Sequence, residues 1–405
     1  MPDENDFKDF SITDKVNYLV RNTEEINTRD ELAKKLEKDQ LVIKYGVDPT
    51  STEIHLGHLV PILKLKEFQD LGYDITFLIG DFTARIGDPT GKDESRKSLT
   101  KKEVYNNAKS YTDQVFKILD PEKTKIVRNY DWLCDLNLEE LIGLLSKNTV
   151  NNLIKRKSFQ NRFDAGKAVH GNELIYPYLQ GYDSVELNAD IEIGGSDQLF
   201  NMMFGRDLQQ KYGQEPQVVM TTPLLEGLDG NLKMSKSLGN TVGVEENPND
   251  MYMKIMKVND ELVDKYFSLL TNLNHMQVNS IKNSYRNLDT YEIDLKKKLA
   301  YEITSMLHNS SEARDAQENF EKVVQNKDLP TNIEDLCMDL DRKITPLEIL
   351  QGTNAYSSNS NIRRLIQQRG FSIDGQIVDD PFIEMKLEPG AIIKAGKKNI
   401  YKLSY

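Results

Sequence analysis

The stretch LVIKYGVDPTSTEIHLGHL, Leu41 to Leu59, decides the fold. Its first seven residues form a short apolar run that stops at an Asp-Pro turn, the pattern of a buried strand. Apolar spacing at Leu59, Ile62, Leu63, Leu65 and Phe68 then predicts a helix over 59–71. The same alternation recurs downstream. ITFLIGDF (75–82), TKIVRNYDWL (124–133), ADIEIGG (189–195) and QVVMTTPLL (217–225) predict strands, and 173–182 and 197–212 predict helices. Short strands alternating with helices imply a doubly wound parallel sheet, with ligands bound outside the carboxyl ends of the strands where their order reverses.

Composition narrows the class. The 405 residues allow two or three domains with substantial cores. No run of about 18 apolar residues suits a membrane span. The acidic start MPDENDFKDF resembles neither a secretory signal nor an Arg-rich transit peptide, so a cytoplasmic protein is expected. Cys134 and Cys337 lie far apart without metal spacing and read as reduced thiols. The net charge of −12 argues against a nucleic-acid partner for the chain as a whole. From Gln351 to Tyr405, however, eight basic residues outnumber five acidic ones, so this end can meet phosphates.

After Asn247-Pro248-Asn249-Asp250, a helix-capping signal, strand patterns give way to helices up to Gln325. A break rich in turn formers and acids, LPTNIEDLCMDLD (329–341), precedes a last compact unit that begins near Ile344.

Four stretches carry chemistry. Two of the five histidines, His55 and His58, straddle the start of a helix, where free N–H groups favour an anion, and Gly57 lets a charged ligand approach the backbone. Alone, this pair also suits a simple helix cap. Lys233 and Lys236, in GNLKMSKSLGN (230–240), can close over a polyphosphate or can be solvated. DFTARIGDPTGKDESR (81–96) imitates a P-loop, but its glycines are too close and Asp93 stands where Ser or Thr would hold Mg²⁺. It reads instead as a polar loop that carries Lys92 and Arg96 toward the same anion. Finally, Tyr176, Gln180 and Asp183 share one helix face, and Gly194-Gly195-Ser196-Asp197-Gln198 links a strand to the next helix.

The pair HLGH and KMSKS, in this order around such a sheet, resembles the signature of the class I aminoacyl-tRNA synthetases. Adding DPT, IGDPTGK…R, Y…Q..YD and GGSDQ, the segment from Val42 to Asn240 is similar to tyrosyl-tRNA synthetases of the bacterial type. SSNSNIRRLIQQRGFSIDGQIVDDP (357–381) looks like the RNA-binding domain those enzymes share with a small-subunit ribosomal protein. The resemblance implies a Rossmann-like catalytic domain over 1–245, with a dimer-forming insertion at about 131–168. It further implies an α-helical tRNA- or anticodon-binding domain over 246–335 and a small α+β RNA-binding domain over 344–405.

The same resemblance implies roles. His55, His58 and Thr50 would meet the ATP phosphates, while Lys233, Lys236, Lys92 and Arg96 fold over the leaving pyrophosphate. Asp48 and Gly57 would line the nucleotide pocket, with Asp197 on the ribose. Asp88, Tyr176 and Gln180 would surround the tyrosine ammonium, with Gln198 nearby, and Asp183 would accept the phenol hydroxyl. Mg²⁺ would arrive with ATP, since no dedicated metal site is evident. The implied partners are L-tyrosine, tRNA(Tyr) and a second copy of the chain. RNA contacts would fall to Arg363, Arg364, Lys397 and Lys398, with Lys155, Arg156 and Lys157 as a further basic patch. One departure stands out: Lys44 occupies a place where many members have Tyr as a second phenol contact, although a sub-branch carries Lys. That contact does not carry over. Two related activities remain as alternatives: tryptophanyl transfer on the same fold, and a coenzyme-forming nucleotidyltransferase. A catalytically idle RNA-binding scaffold is a third, which the intact His and Lys clusters disfavour.

Overall fold

The computed structural model describes residues 7, 9–89, 99–154, 156–271, 273, 275–285, 291–325, 333–353, 355–356, 358–396 and 399–405. The chain forms two compact units, Met1–Gln317 and Glu318–Tyr405.

The first unit is built on six strands: β1 (Glu25–Ile26), β2 (Ile43–Val47), β3 (Ile75–Ile79), β4 (Thr124–Arg128), β5 (Ile191–Gly195) and β6 (Val218–Thr222). Their order is β1-β6-β5-β2-β3-β4. All neighbours are parallel except the short edge strand β1, which runs antiparallel to β6. The chain steps outward from β2 through β3 to β4, then returns to lay β5 on the other side of β2. The order therefore reverses between β2 and β5, the place where open sheets of this kind bind their ligands, beyond the carboxyl ends of the strands.

The apolar runs become strands because helices cover both faces; every residue of β3 and of β6 is buried. The helix Leu56–Asp70 is buried nearly all round, including Lys64, whose ammonium donates to the carbonyls of Leu19 (2.9 Å) and Arg21 (2.6 Å). It is thus a central helix, not an amphipathic surface one. Helices Gly171–Glu186 and Leu199–Lys211 cross at two glycines: a Cβ on Gly181 would sit 3.2 Å from the Cα of Gly205. This close approach holds the face bearing Tyr176, Gln180 and Asp183 toward the sheet. Leu133, Leu144 and Leu153 of the 131–168 segment pack onto this helix pair against Tyr178, Leu179 and Phe204.

From Pro248 onward the unit is helical, as expected, beginning with Pro248–Ile255 capped by Asn247. The basic run at Lys296 is largely answered locally, with Lys296 paired to Asp260 (2.5 Å) and Lys298 to Glu302 (2.5 Å).

The second unit has a five-stranded sheet in the order β7-β11-β10-β8-β9, formed by β7 (Glu334–Cys337), β8 (Phe371–Ile373), β9 (Gln376–Ile377), β10 (Ile392–Ala395) and β11 (Asn399–Ser404). Strand β7 lies within the stretch read as a break, where alternating acids hid it; it pairs parallel with β11. Asp374 (φ 47°) and Gly375 (φ 81°) make the two-residue turn between β8 and β9, the positive-φ pair that hairpins favour. Helix Asn359–Gln367, capped by Ser358, buries Ile362 and Ile366 one turn apart. The unit has its own apolar core around Ile349, Leu350, Phe371 and Ile393.

Candidate active site

Asp48 follows β2, and the chain then turns into the helix that starts at Leu56, with His55 as its N-cap. The helix begins earlier than its apolar spacing predicts, because His55 takes the extended cap conformation. The His55 backbone N–H donates to Nδ1 of His58 (3.3 Å), and the two rings lie 3.9 Å apart. With Nδ1 of His58 accepting, its proton belongs on Nε2, which is left as a donor. Nδ1 of His55 is buried without a hydrogen-bond partner among the described residues. Burial and the positive Lys233 push the His55 pKa down to about 4, and burial, His55 and Lys233 hold His58 well below its usual value. Both imidazoles are therefore neutral donors and acceptors at neutral pH, at a helix end already biased toward anions.

The lysine loop arrives at the same place. Residues 242–244 pair with 54–56 through Leu56 N to Val242 O (3.0 Å) and Val244 N to Ile54 O (2.9 Å). Met234 is buried, and its Cβ would lie 3.5 Å from a Cβ on Gly57; the His55 ring would be 3.1 Å away on the other side. Gly57 is thus the contact between the two sequence signals. Lys233 reaches Asp197 Oδ2 (2.5 Å), beyond β5, and Lys236 reaches Glu53 Oε2 (2.8 Å), before His55. His55 and Lys236 line one cleft of about 460 Å³ together with Glu53, Gly243, Glu246 and Lys254. The buried Asn240 braces the loop by accepting from Ser235 N (2.8 Å) and donating to Asp229 (3.1 Å).

Across the crevice, Tyr176 donates to Asp48 Oδ2 (2.9 Å) and Thr83 to Asp48 Oδ1 (2.7 Å). Gln198 donates to Asp88 Oδ2 (2.8 Å), and Arg156 approaches its other oxygen at 3.5 Å. Asp183 is 2% exposed and accepts from Trp132 Nε1 (2.9 Å) and Asn129 Nδ2 (3.2 Å). Burial pushes its pKa up to about 7, although Lys44 and those two donors pull the other way. Two single N–H donors leave this carboxylate able to accept another hydrogen bond.

A family model described as tRNA synthetases class I (W and Y) matches residues 36–325. The chain belongs to that family. A tyrosine--tRNA ligase of Desulfotalea psychrophila is 43% identical, covering 98% of this chain and 99% of its own length. One from Thermotoga maritima is 42% identical over 96% and 97%. Among solved structures, tyrosyl-tRNA synthetase from Archaeoglobus fulgidus complexed with L-tyrosine superposes with a TM-score of 0.60 at 24% identity, over 76% of this chain and 100% of that one.

In this class I synthetase these contacts tie His55, His58, Gly57, Lys233, Lys236 and Asp197 into one cluster. Asp48 joins Tyr176 and Asp88 joins Gln198, whereas Asp183 is held separately by Trp132 and Asn129, on the same helix as Tyr176 and Gln180. Thr50 is exposed, with its backbone N–H turned to Asp48 O (2.8 Å). Lys92 and Arg96 lie outside the described residues, as do Lys155, Lys397 and Lys398. Arg363 and Arg364 are exposed in the second unit, Arg363 with its guanidinium 5.1 Å from the Phe382 ring.

One reading is corrected. Arg156 is not part of a solvated basic patch: it is 7% exposed, faces Asp88 and lies over the rings of Phe159 (5.6 Å) and Phe200 (5.4 Å). Sequence reasoning also missed Trp132 and Asn129, the holders of Asp183. The single Trp of the chain, just after a strand end, was the available signal. No helix among the described residues is long and apolar enough to cross a membrane.

Proposed function

We propose that this synthetase is a tyrosine--tRNA ligase. It activates L-tyrosine with ATP to tyrosyl-adenylate and pyrophosphate, then transfers tyrosine to the 3′ end of tRNA(Tyr). The observation that carries the choice of amino acid is Asp183, a buried carboxylate with spare acceptor capacity on the same helix as Tyr176 and Gln180. Phenylalanine would leave that group without its partner. Near-full-length likeness to tyrosine--tRNA ligases supports the same reading.

In the first step a carboxylate oxygen of tyrosine bonds to the α-phosphorus as the bond to the β-phosphate oxygen breaks. No covalent enzyme intermediate is needed; the demand is for alignment and for stabilising negative charge. Neutral His55 and His58 donate to the phosphates from the helix start, with Thr50 nearby. Lys233, Lys236, Lys92 and Arg96 neutralise the departing pyrophosphate. Asp48 and Gly57 line the nucleotide pocket and Asp197 takes the ribose. Asp88, Tyr176, Gln180 and Gln198 bind the tyrosine ammonium. Mg²⁺ enters as part of the ATP substrate. In the second step the terminal ribose hydroxyl of the tRNA attacks the tyrosyl carbonyl carbon and AMP leaves.

The reading assigns residues 1–245 to catalysis, 246–335 to tRNA or anticodon contact and 344–405 to RNA binding through Arg363, Arg364, Lys397 and Lys398. The enzyme works in the cytoplasm as a homodimer. Leu138 and Ile142, which are 72% and 59% exposed in the 131–168 segment, support an interface there. The test is amino-acid-dependent exchange of pyrophosphate into ATP. Tyrosine should drive it; exchange driven equally by tryptophan, or by no amino acid, overturns the proposal.

A further inference from the structure

Lys44 is the second residue of β2, inside the sheet, and is completely buried. A buried ammonium is costly unless every proton is answered, and here each is. It donates to Ser184 Oγ (2.7 Å), Glu192 Oε1 (2.9 Å) and the carbonyl of Gln180 (3.3 Å). Glu192, 2% exposed, is its register partner on β5 and also accepts from Ser184 (3.3 Å) and Gln217. Gln180 and Ser184 flank Asp183 on the same helix, so the ammonium grips that helix on both sides of the carboxylate. Lys44 pairs with Glu192 rather than with Asp183.

The charges therefore form a set of three: one cation serving two buried anions. Lys44 acts on Asp183 from β2 and Glu192 from β5, while the segment after β4 supplies the neutral donors Asn129 and Trp132. A carboxylate in so dry a place must be anionic to accept strongly from a phenol, and an opposite charge nearby favours that state.

We infer that Lys44 is a positioning residue for tyrosine selection: anchored by Glu192 and Ser184 behind the pocket, it holds Asp183 anionic and fixed to accept the phenol hydroxyl. Lys44 replaces, by charge acting through Asp183, a second direct contact to the substrate. Glu192 sets how much of that charge Asp183 feels. The inference rests on the tyrosine-activating reading above.

Three variants test it in tyrosine-dependent pyrophosphate exchange, with KM for tyrosine and for ATP followed across pH. Lys44→Met leaves two carboxylates without a cation. The acid limb of 1/KM for tyrosine should move up by about 1 pH unit or more, with KM for ATP unchanged. Glu192→Gln gives Asp183 the whole cation, and the limb should move down. Lys44→Met/Glu192→Gln removes one charge of each sign, and the limb should return toward that of the parent enzyme. Glu192→Gln alone keeps the test open if Lys44→Met folds poorly. Should the limb stay put in Glu192→Gln, with tyrosine KM unaltered, Lys44 is a structural lysine and the inference fails. A parent enzyme with no tyrosine-dependent exchange would instead overturn the functional reading itself.

Discussion

The ammonium of Lys233 lies 2.5 Å from the carboxylate of Asp197, so two groups assigned to different ends of ATP hold each other across the crevice. Their side chains are 52% and 26% exposed, so the pair sits in high dielectric and is cheap to break. Under the proposed roles, ATP binding would exchange partners, the ribose taking Asp197 and the phosphates taking Lys233. Lys236 would make the same kind of exchange from Glu53.

Asp197→Asn should therefore raise KM for ATP roughly tenfold while leaving KM for tyrosine near that of the parent enzyme. Steady-state exchange kinetics with each substrate varied separately would check this. An effect on tyrosine alone would move Asp197 to the amino-acid side.

Burial pushes the Asp183 carboxyl up to about 7. Below that pH it is protonated and accepts poorly; above it the carboxylate is available. Tyrosine affinity should therefore rise as pH increases through about 7 and then level off, as read by equilibrium binding. Asp183→Ala should abolish the rise and let phenylalanine compete.

Gly57→Ala should separate stability from rate. Gly57 is the second residue of its helix and its φ is not positive, so alanine strains no backbone there and thermal unfolding should change little. The added methyl would press on the His55 ring at 3.1 Å and approach Met234 at 3.5 Å. Adenylate formation should fall by about tenfold or more, as misplacement of reacting groups does. Equal losses in melting temperature and rate would mean a packing defect.

The second unit has its own core, so removing 318–405 should leave tyrosine-dependent exchange largely intact while aminoacylation of tRNA drops. Parallel loss of both activities would assign the unit a stabilising role instead of an RNA-binding one.

The parallel sheet was legible because β2, β3, β5 and β6 are buried apolar runs bounded by turn formers, and periodicity alone reports that. His55, His58, Lys233 and Lys236 were legible through residue type and order. What escaped depends on pairing across the chain. Lys44 reads as an oddity until Glu192 appears beside it in register. Arg156 reads as surface charge within a Lys-Arg-Lys run because nothing local announces Asp88. Trp132 and Asn129 reach Asp183 only once β4 ends next to β3, a consequence of strand order. Strand β1, two residues long, owes its existence to the free edge of β6 and not to any pattern of its own.

The central claim is that the imidazole pair and the lysine loop act on one triphosphate. Single-turnover formation of tyrosyl-adenylate by His58→Ala and by Lys233→Ala, at saturating ATP and tyrosine, tests it most directly. The account predicts that each variant keeps the tyrosine affinity of the parent enzyme and forms adenylate roughly 100- to 1,000-fold more slowly, the usual loss when a transition-state donor is removed. Adenylate formed by either folded variant at the parent rate would contradict it.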